Sequence, residues 1–119
     1  MLKRLNLLLV ALLSVVAMAS KDVGQMKLDK VRKMRDASSN GIIEFSPKEY
    51  QELVIANPRP YNMITLFSVR SGCDDCDLVF SELIGAAYSY RQVDEQLDVP
   101  TFFGVIYYSP KQEVKQIFD

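Results

Sequence analysis

Histidine is absent from this 119-residue sequence. Without an imidazole there is no Ser-His-Asp relay and no Cys-His nucleophile pair, and a Cys2His2 zinc site cannot be assembled within one chain. Cysteine is nearly as scarce: Cys73 and Cys76 are the only two, so any thiol chemistry has to pass through them. Surplus positive charge is lacking too. The 14 Lys and Arg against 15 Asp and Glu leave a net charge of -1, which offers nucleic acid no basic face. No cofactor and no metal ion is called for. Long apolar runs are confined to the N-terminus, and no later segment approaches the roughly 20 apolar residues that span a bilayer.

That one apolar run reads as an address. Lys3 and Arg4 precede Leu5 to Val16, and Ala17-Met18-Ala19 places small residues at the two positions a signal peptidase inspects, so residues 1–19 are predicted to be a signal peptide cleaved near Ala19 or Ser20, with an uncleaved signal anchor as the alternative. Residues 20–119 are then one lumenal or secreted domain, for which 49% apolar and 24% charged residues are ordinary values. An oxidising compartment permits a disulfide or a redox dithiol at Cys73 and Cys76.

Cys73-Asp74-Asp75-Cys76 sits between a strand pattern and a helix pattern. Tyr61 to Val69 is β-rich and apolar, Arg70-Ser71-Gly72 is a polar turn, and Leu78, Val79, Leu83, Ala86 and Ala87 follow at helical spacing to about Arg91. One helical turn brings both sulfurs to the helix N-terminus, where free N–H groups and the positive end of the dipole favour a thiolate. In this context the motif reads as redox-active. Asp74 and Asp75 oppose that thiolate with negative charge beside the sulfurs, which predicts a less oxidising disulfide, suited to holding client cysteines more than to vigorous oxidation.

The flanking chain supplies a small α/β scaffold. Lys27 to Ala37 is a charged helix with a narrow stripe of Leu28, Val31 and Met34, stopped by Ser38-Ser39-Asn40-Gly41, in which Asn40 or Gly41 takes the left-handed conformation. Ile42 to Phe45 is a short strand. Ser46-Pro47-Lys48-Glu49 opens a second helix with serine as N-cap, proline first and glutamate third; it carries Tyr50, Leu53 and Val54 and ends at Asn57-Pro58-Arg59-Pro60. Gly85 reads as a point of close packing, Tyr88 and Tyr90 as core or rim, and Asp94, Glu95 and Asp98 as a solvated acidic loop. Phe102 to Tyr108 is a strand apolar enough to be buried on both faces. Ser109-Pro110-Lys111-Gln112 repeats the serine-proline helix start, with Val114, Ile117 and Phe118 as an apolar face.

Several of these stretches, taken in order, carry a resemblance. Ile42-Ile43-Glu44-Phe45, Pro58-Arg59-Pro60-Tyr61-Asn62-Met63-Ile64, Cys73-Asp74-Asp75-Cys76 and the Phe102-Phe103 strand ending at Tyr107-Tyr108 resemble the lumenal thioredoxin-like domain of the oxidoreductase subunits of eukaryotic oligosaccharyltransferase, the family of the tumour suppressor candidate and magnesium transporter proteins. The resemblance covers about Lys27 to Asp119. It implies a thioredoxin-like α/β fold, a central mixed sheet flanked by helices, facing the lumen of the endoplasmic reticulum. It also implies transient mixed disulfides with cysteine-containing nascent glycoproteins, with Cys73 the exchanging sulfur and Cys76 the resolving one. Other oligosaccharyltransferase subunits would be the partners, and one of them would perform the glycosyl transfer.

Two departures accompany the resemblance. Family members continue with a proline loop facing the CxxC, further strands and four membrane helices, so the sequence reads as a truncated or alternatively spliced product carrying about half of the sheet. Val99-Pro100-Thr101 resembles the cis-proline loop of thioredoxins but precedes the Phe102 strand, where the family places its loop later. Three alternatives stay open at this level: a free-standing thiol-disulfide oxidoreductase of the endoplasmic reticulum, a structural subunit with a fixed disulfide, and a fragment that does not fold. Magnesium transport would need membrane helices.

Overall fold

The structure, a computed structural model, describes residues 22–109 and 117. The predicted signal peptide and the helix start at Pro110 lie outside the described residues. Helix α1 spans residues 22–37 and so is already formed ahead of the expected Lys27. Its stripe is the expected one: Val31 is fully buried, with Leu28 and Met34 partly buried beside it. Gly41 ends the turn at φ +79, and Asn40 Oδ1 accepts the Ile42 N–H at 3.0 Å. Strand β1 follows as Ile42–Glu44.

Helix α2 begins at Pro47 under a reciprocal cap. Ser46 Oγ accepts the Glu49 N–H at 3.2 Å while Glu49 Oε1 accepts the Ser46 N–H at 2.9 Å, which satisfies two donors that a helix start leaves unpaired. After Tyr50 the helix widens into a π-helical turn, Gln51–Ile55, and Ala56 N–H donates to Gln51 O at 2.9 Å. The last carbonyls have no onward turn to pair with, because Pro58 brings no N–H. Two side chains beyond it supply the donors: Arg59 Nη1 to Val54 O and Tyr61 Oη to Leu53 O, each at 2.6 Å. The Pro-Arg-Pro-Tyr stretch is thus the C-terminal cap of α2. Asn57–Pro58 is a cis peptide.

Strand β2 is Asn62–Ser68, helix α3 is Asp74–Val93, and strand β3 is Thr101–Tyr107. The sheet order is β1-β3-β2. Every pairing among the described residues is parallel, with Ile42 opposite Phe103 and Asn62 to Ser68 opposite Thr101 to Tyr107; the antiparallel member of the expected mixed sheet is not among them. Helices α1 and α2 cover one face, over Ile43, Phe45, Tyr61, Phe102 and Ile106. Helix α3 covers the other through Ala87, Phe80, Leu83 and Ile84 against Ile42, Phe103 and Val105. This is the α/β, thioredoxin-like arrangement, with β3 buried on both faces as its unbroken apolar run predicts. Each fully buried large apolar side chain contributes on the order of 1.5–3 kcal/mol.

Two readings of single residues change, those of Asp94 and Gly85. Asp94 is not solvated: its side chain is 10% exposed and pairs with Arg35 at 3.2 Å, and Arg35 in turn lies 5.2 Å over the Phe102 ring. Folding brings the α1 arginine to a carboxylate that looks like loop surface in the linear chain. Gly85 has nothing within 4 Å of where a Cβ would sit, so it is not a close-packing site. Pro100 precedes β3 at the end where Asn62 N–H donates to Pro100 O at 2.8 Å. Cys73 follows the opposite end of β2, about 20 Å away along a seven-residue strand, and Val99–Pro100 is trans; Pro100 therefore does not face the CxxC. Tyr90 does pack as expected, 5.3 Å from Phe103.

Two consequences are measurable. A Cβ on Gly104 would stand 2.2 Å from Phe45 Cε2, with Ile43 O behind it at 3.2 Å, so Gly104→Ala is expected to cost about 1–3 kcal/mol in denaturant melts, and Phe45→Leu in the same chain to recover part of it. No loss on Gly104→Ala would contradict the packing of Phe45 over β3. Burial holds the Tyr61 hydroxyl above its ordinary value of 10.0, against the lowering by Arg59. Unfolded Tyr61 ionises first as pH rises, so the stability from this group is complete below pH 10 and is lost between 10 and the higher folded value. Tyr61→Phe is expected to lower stability at neutral pH by about 1–3 kcal/mol, because Leu53 O loses its donor, and to flatten the alkaline decline; an unchanged decline would refute the assignment.

Candidate functional site

The site is built where the three parallel strands end together. Ser68, the last residue of β2, is buried and accepts the Tyr108 N–H through its carbonyl at 2.7 Å. The chain then leaves the sheet through Val69 to Gly72. Gly72 has φ +79, a conformation that costs a residue with a Cβ but not glycine. The next residue, Cys73, caps α3: its backbone is extended, and Sγ accepts the Cys76 N–H at 3.2 Å. One turn on, Cys76 returns to the same end, and the two are joined in a disulfide with a Cα–Cα distance of 5.3 Å. Both are half-buried. The CxxC therefore occupies the helix N-terminus that its spacing predicts, outside the carboxyl ends of a parallel sheet, where α/β folds place their chemistry.

Charge around the sulfurs comes from three elements. Asp74, Asp75 and Asp77 are exposed in the first turn of α3, where carboxylates favour the helix dipole but repel a thiolate. Arg70, from the loop, has its guanidinium carbon 4.3 Å over the Tyr107 ring of β3 and forms an ion pair with Glu44 at the end of β1. Beneath Cys76 lies a recess of ≈ 120 Å³ lined also by Ser68, Val69, Arg70, Asp77, Phe80 and Tyr107.

Sequence reasoning found the two cysteines and the aspartates. It missed Arg70, which reads as turn polarity, and Glu44 and Tyr107, which read as strand residues. The signal that reaches them is topological: in a parallel sheet the last residues of every strand arrive at the same edge. Tyr88 lies at the opposite end, lining a cavity of ≈ 300 Å³ with Arg35, Arg91 and Phe103, far from the two cysteines. Among the described residues no group of three or more His, Cys, Asp or Glu side chains is placed to hold a metal ion, and no helix is long and apolar enough to cross a membrane.

Residues 29–119 match the model of the OST3 / OST6 family, transporter family. No curated protein and no solved structure matches the chain.

The disulfide closes a very short loop, so its contribution to stability is small: the chain-entropy estimate for a four-residue loop is about 2 kcal/mol. Replacing both residues, Cys73→Ala with Cys76→Ala, is expected to leave a cooperative denaturant transition that is lower by no more than about that amount. Disappearance of the transition would mean that the bridge is needed to hold the fold.

Proposed function

The chain belongs to the OST3/OST6 family, and with it to the subunits associated with oligosaccharyltransferase, a complex of the endoplasmic reticulum membrane; from that premise we propose that it is a lumenal subunit that holds nascent glycoproteins through Cys73. The observation that carries the proposal is the Cys73–Cys76 bridge at the capped N-terminus of α3, on the open edge where the strands end. A client thiolate attacks Cys73 Sγ, the sulfur–sulfur bond breaks, and Cys76 leaves as a thiolate that takes up a proton. In the return step Cys76 attacks Cys73 Sγ, the client leaves as a thiol, and the bridge reforms. The cycle has no net oxidation and needs no external reductant.

Holding a client in this way keeps a nearby Asn-X-Ser/Thr segment extended while another subunit transfers the glycan. The three carboxylates of the first turn support holding over oxidation, because they raise the cost of the reduced, thiolate-bearing state. Residues 1–19 would deliver the chain to the lumen as a cleaved signal peptide.

Trapping tests the proposal. The Cys76→Ser chain, expressed in a secretory compartment and quenched with acid, is expected to show mixed disulfides on non-reducing gels that vanish with the added change Cys73→Ser. The adducts should be enriched in polypeptides carrying glycosylation sequons, and a redox titration of the unaltered pair should fall below the range of strong oxidases. Absence of adducts from a chain shown to be folded would replace this reading with a fixed structural disulfide. Adducts without any sequon enrichment would favour a free-standing oxidoreductase.

A further inference from the structure

Cys73 and Cys76 do not have equivalent surroundings. Only Cys76 lines the recess under the strand ends, and among the described residues that line it Arg70 is the sole cation. Arg70 is held on two sides, by the Tyr107 ring from β3 and by Glu44 from β1. A planar guanidinium stacked on an aromatic ring and fastened to a carboxylate keeps its position far better than a free surface arginine. The geometry points to Arg70 as the positioning residue for the Cys76 thiolate: its fixed positive charge stabilises that sulfur when it becomes the leaving group.

The groups facing Cys76 have opposing effects. On its own helix Asp77 lines the same recess and Asp74 and Asp75 stand in the same turn; from β3 comes the Tyr107 ring and from the loop Arg70, while the carboxylate of Glu44 on β1 reaches the recess only through its ion pair with Arg70. Removing the one cation leaves the helix end alone to offset the carboxylates. Because exchange is faster when the departing thiol is more acidic, Arg70 raises the rate at which Cys73 accepts a client and favours the reduced pair, and the carboxylates oppose it on both counts. Both side chains of the Arg70–Glu44 pair are more than half exposed, so the effect is modest and screened by salt.

The consequence for exchange rests on the mechanism proposed above, but the acidity of Cys76 does not, and the experiment separates them. In the Cys73→Ser chain the rate of iodoacetamide alkylation of Cys76 against pH gives its thiol pKa. Arg70→Met is expected to raise it by about half a unit or more, Arg70→Lys to keep most of the wild-type value, and Glu44→Gln to lower it; the Arg70→Met difference should shrink at about 1 M salt, where the screening length is about 3 Å. A purely structural role for Arg70 would produce none of the salt dependence and no rescue by lysine. In the unaltered pair, titrated at a pH above the Cys76 pKa found by alkylation, where the reduced sulfur is thiolate, Arg70→Met should shift the glutathione equilibrium toward the disulfide by roughly threefold or more, the same half unit read as a ratio, and this reading does not depend on how well the single-cysteine chain folds. An unchanged Cys76 pKa together with an unchanged glutathione equilibrium overturns the inference even if client adducts form. A shifted pKa in a chain that traps no client upholds it and instead removes the proposed function.

Discussion

Strand β3 is hydrogen-bonded on both edges and packed on both faces, and the rest of the structure is arranged by that confinement. Its register sets where β1 and β2 end. Its side chains alternate between the cluster under α1 and α2 and the cluster under α3. At its centre Gly104 lets the Phe45 ring lie against the backbone, which brings the chain leaving β1 across the sheet toward α2. A buried parallel strand tolerates no polar residue on either face, and the apolar run from Phe102 to Ile106 meets that demand.

From this register the site follows. Parallel strands deliver their last residues to one edge, so Glu44, Ser68 and Tyr107 are neighbours although they come from distant parts of the chain. The loop after β2 starts at that edge, and Gly72 turns it into α3 with Cys73 as the cap. Arg70 sits across the three strand ends and lines a recess that Cys76 shares and Cys73 does not. The helix end and the arginine bring positive charge to this corner, and the aspartates of the first turn bring negative charge.

The helix on the other face is closed by a different device. The π-helical turn of α2 leaves carbonyls that water cannot reach freely, and Arg59 and Tyr61 supply the donors. Tyr61 then turns inward against Phe102, 5.6 Å away at nearly a right angle, tying the helix end to β3. The Pro-Arg-Pro-Tyr stretch that carries part of the family resemblance is therefore a structural joint.

What the sequence determined by itself is whatever neighbouring residues decide. The Ser46 box, the left-handed Gly41, the position of the β2 and β3 strands and the placement of the CxxC at a helix start all depend on caps, φ restrictions and period over a few residues, and all are present. The tertiary structure decided which distant groups meet. Asp94 reads as exposed loop until α1 brings Arg35 to it, Pro100 resembles an active-site proline until the register places it at the far end of β3, and Arg70 reads as a turn residue until Glu44 and Tyr107 close on it from two strands. Local preferences act through bonds and are written in adjacent letters; electrostatic partners and shared recesses act through space, and only the packing of β1 and β2 against β3 brings them together.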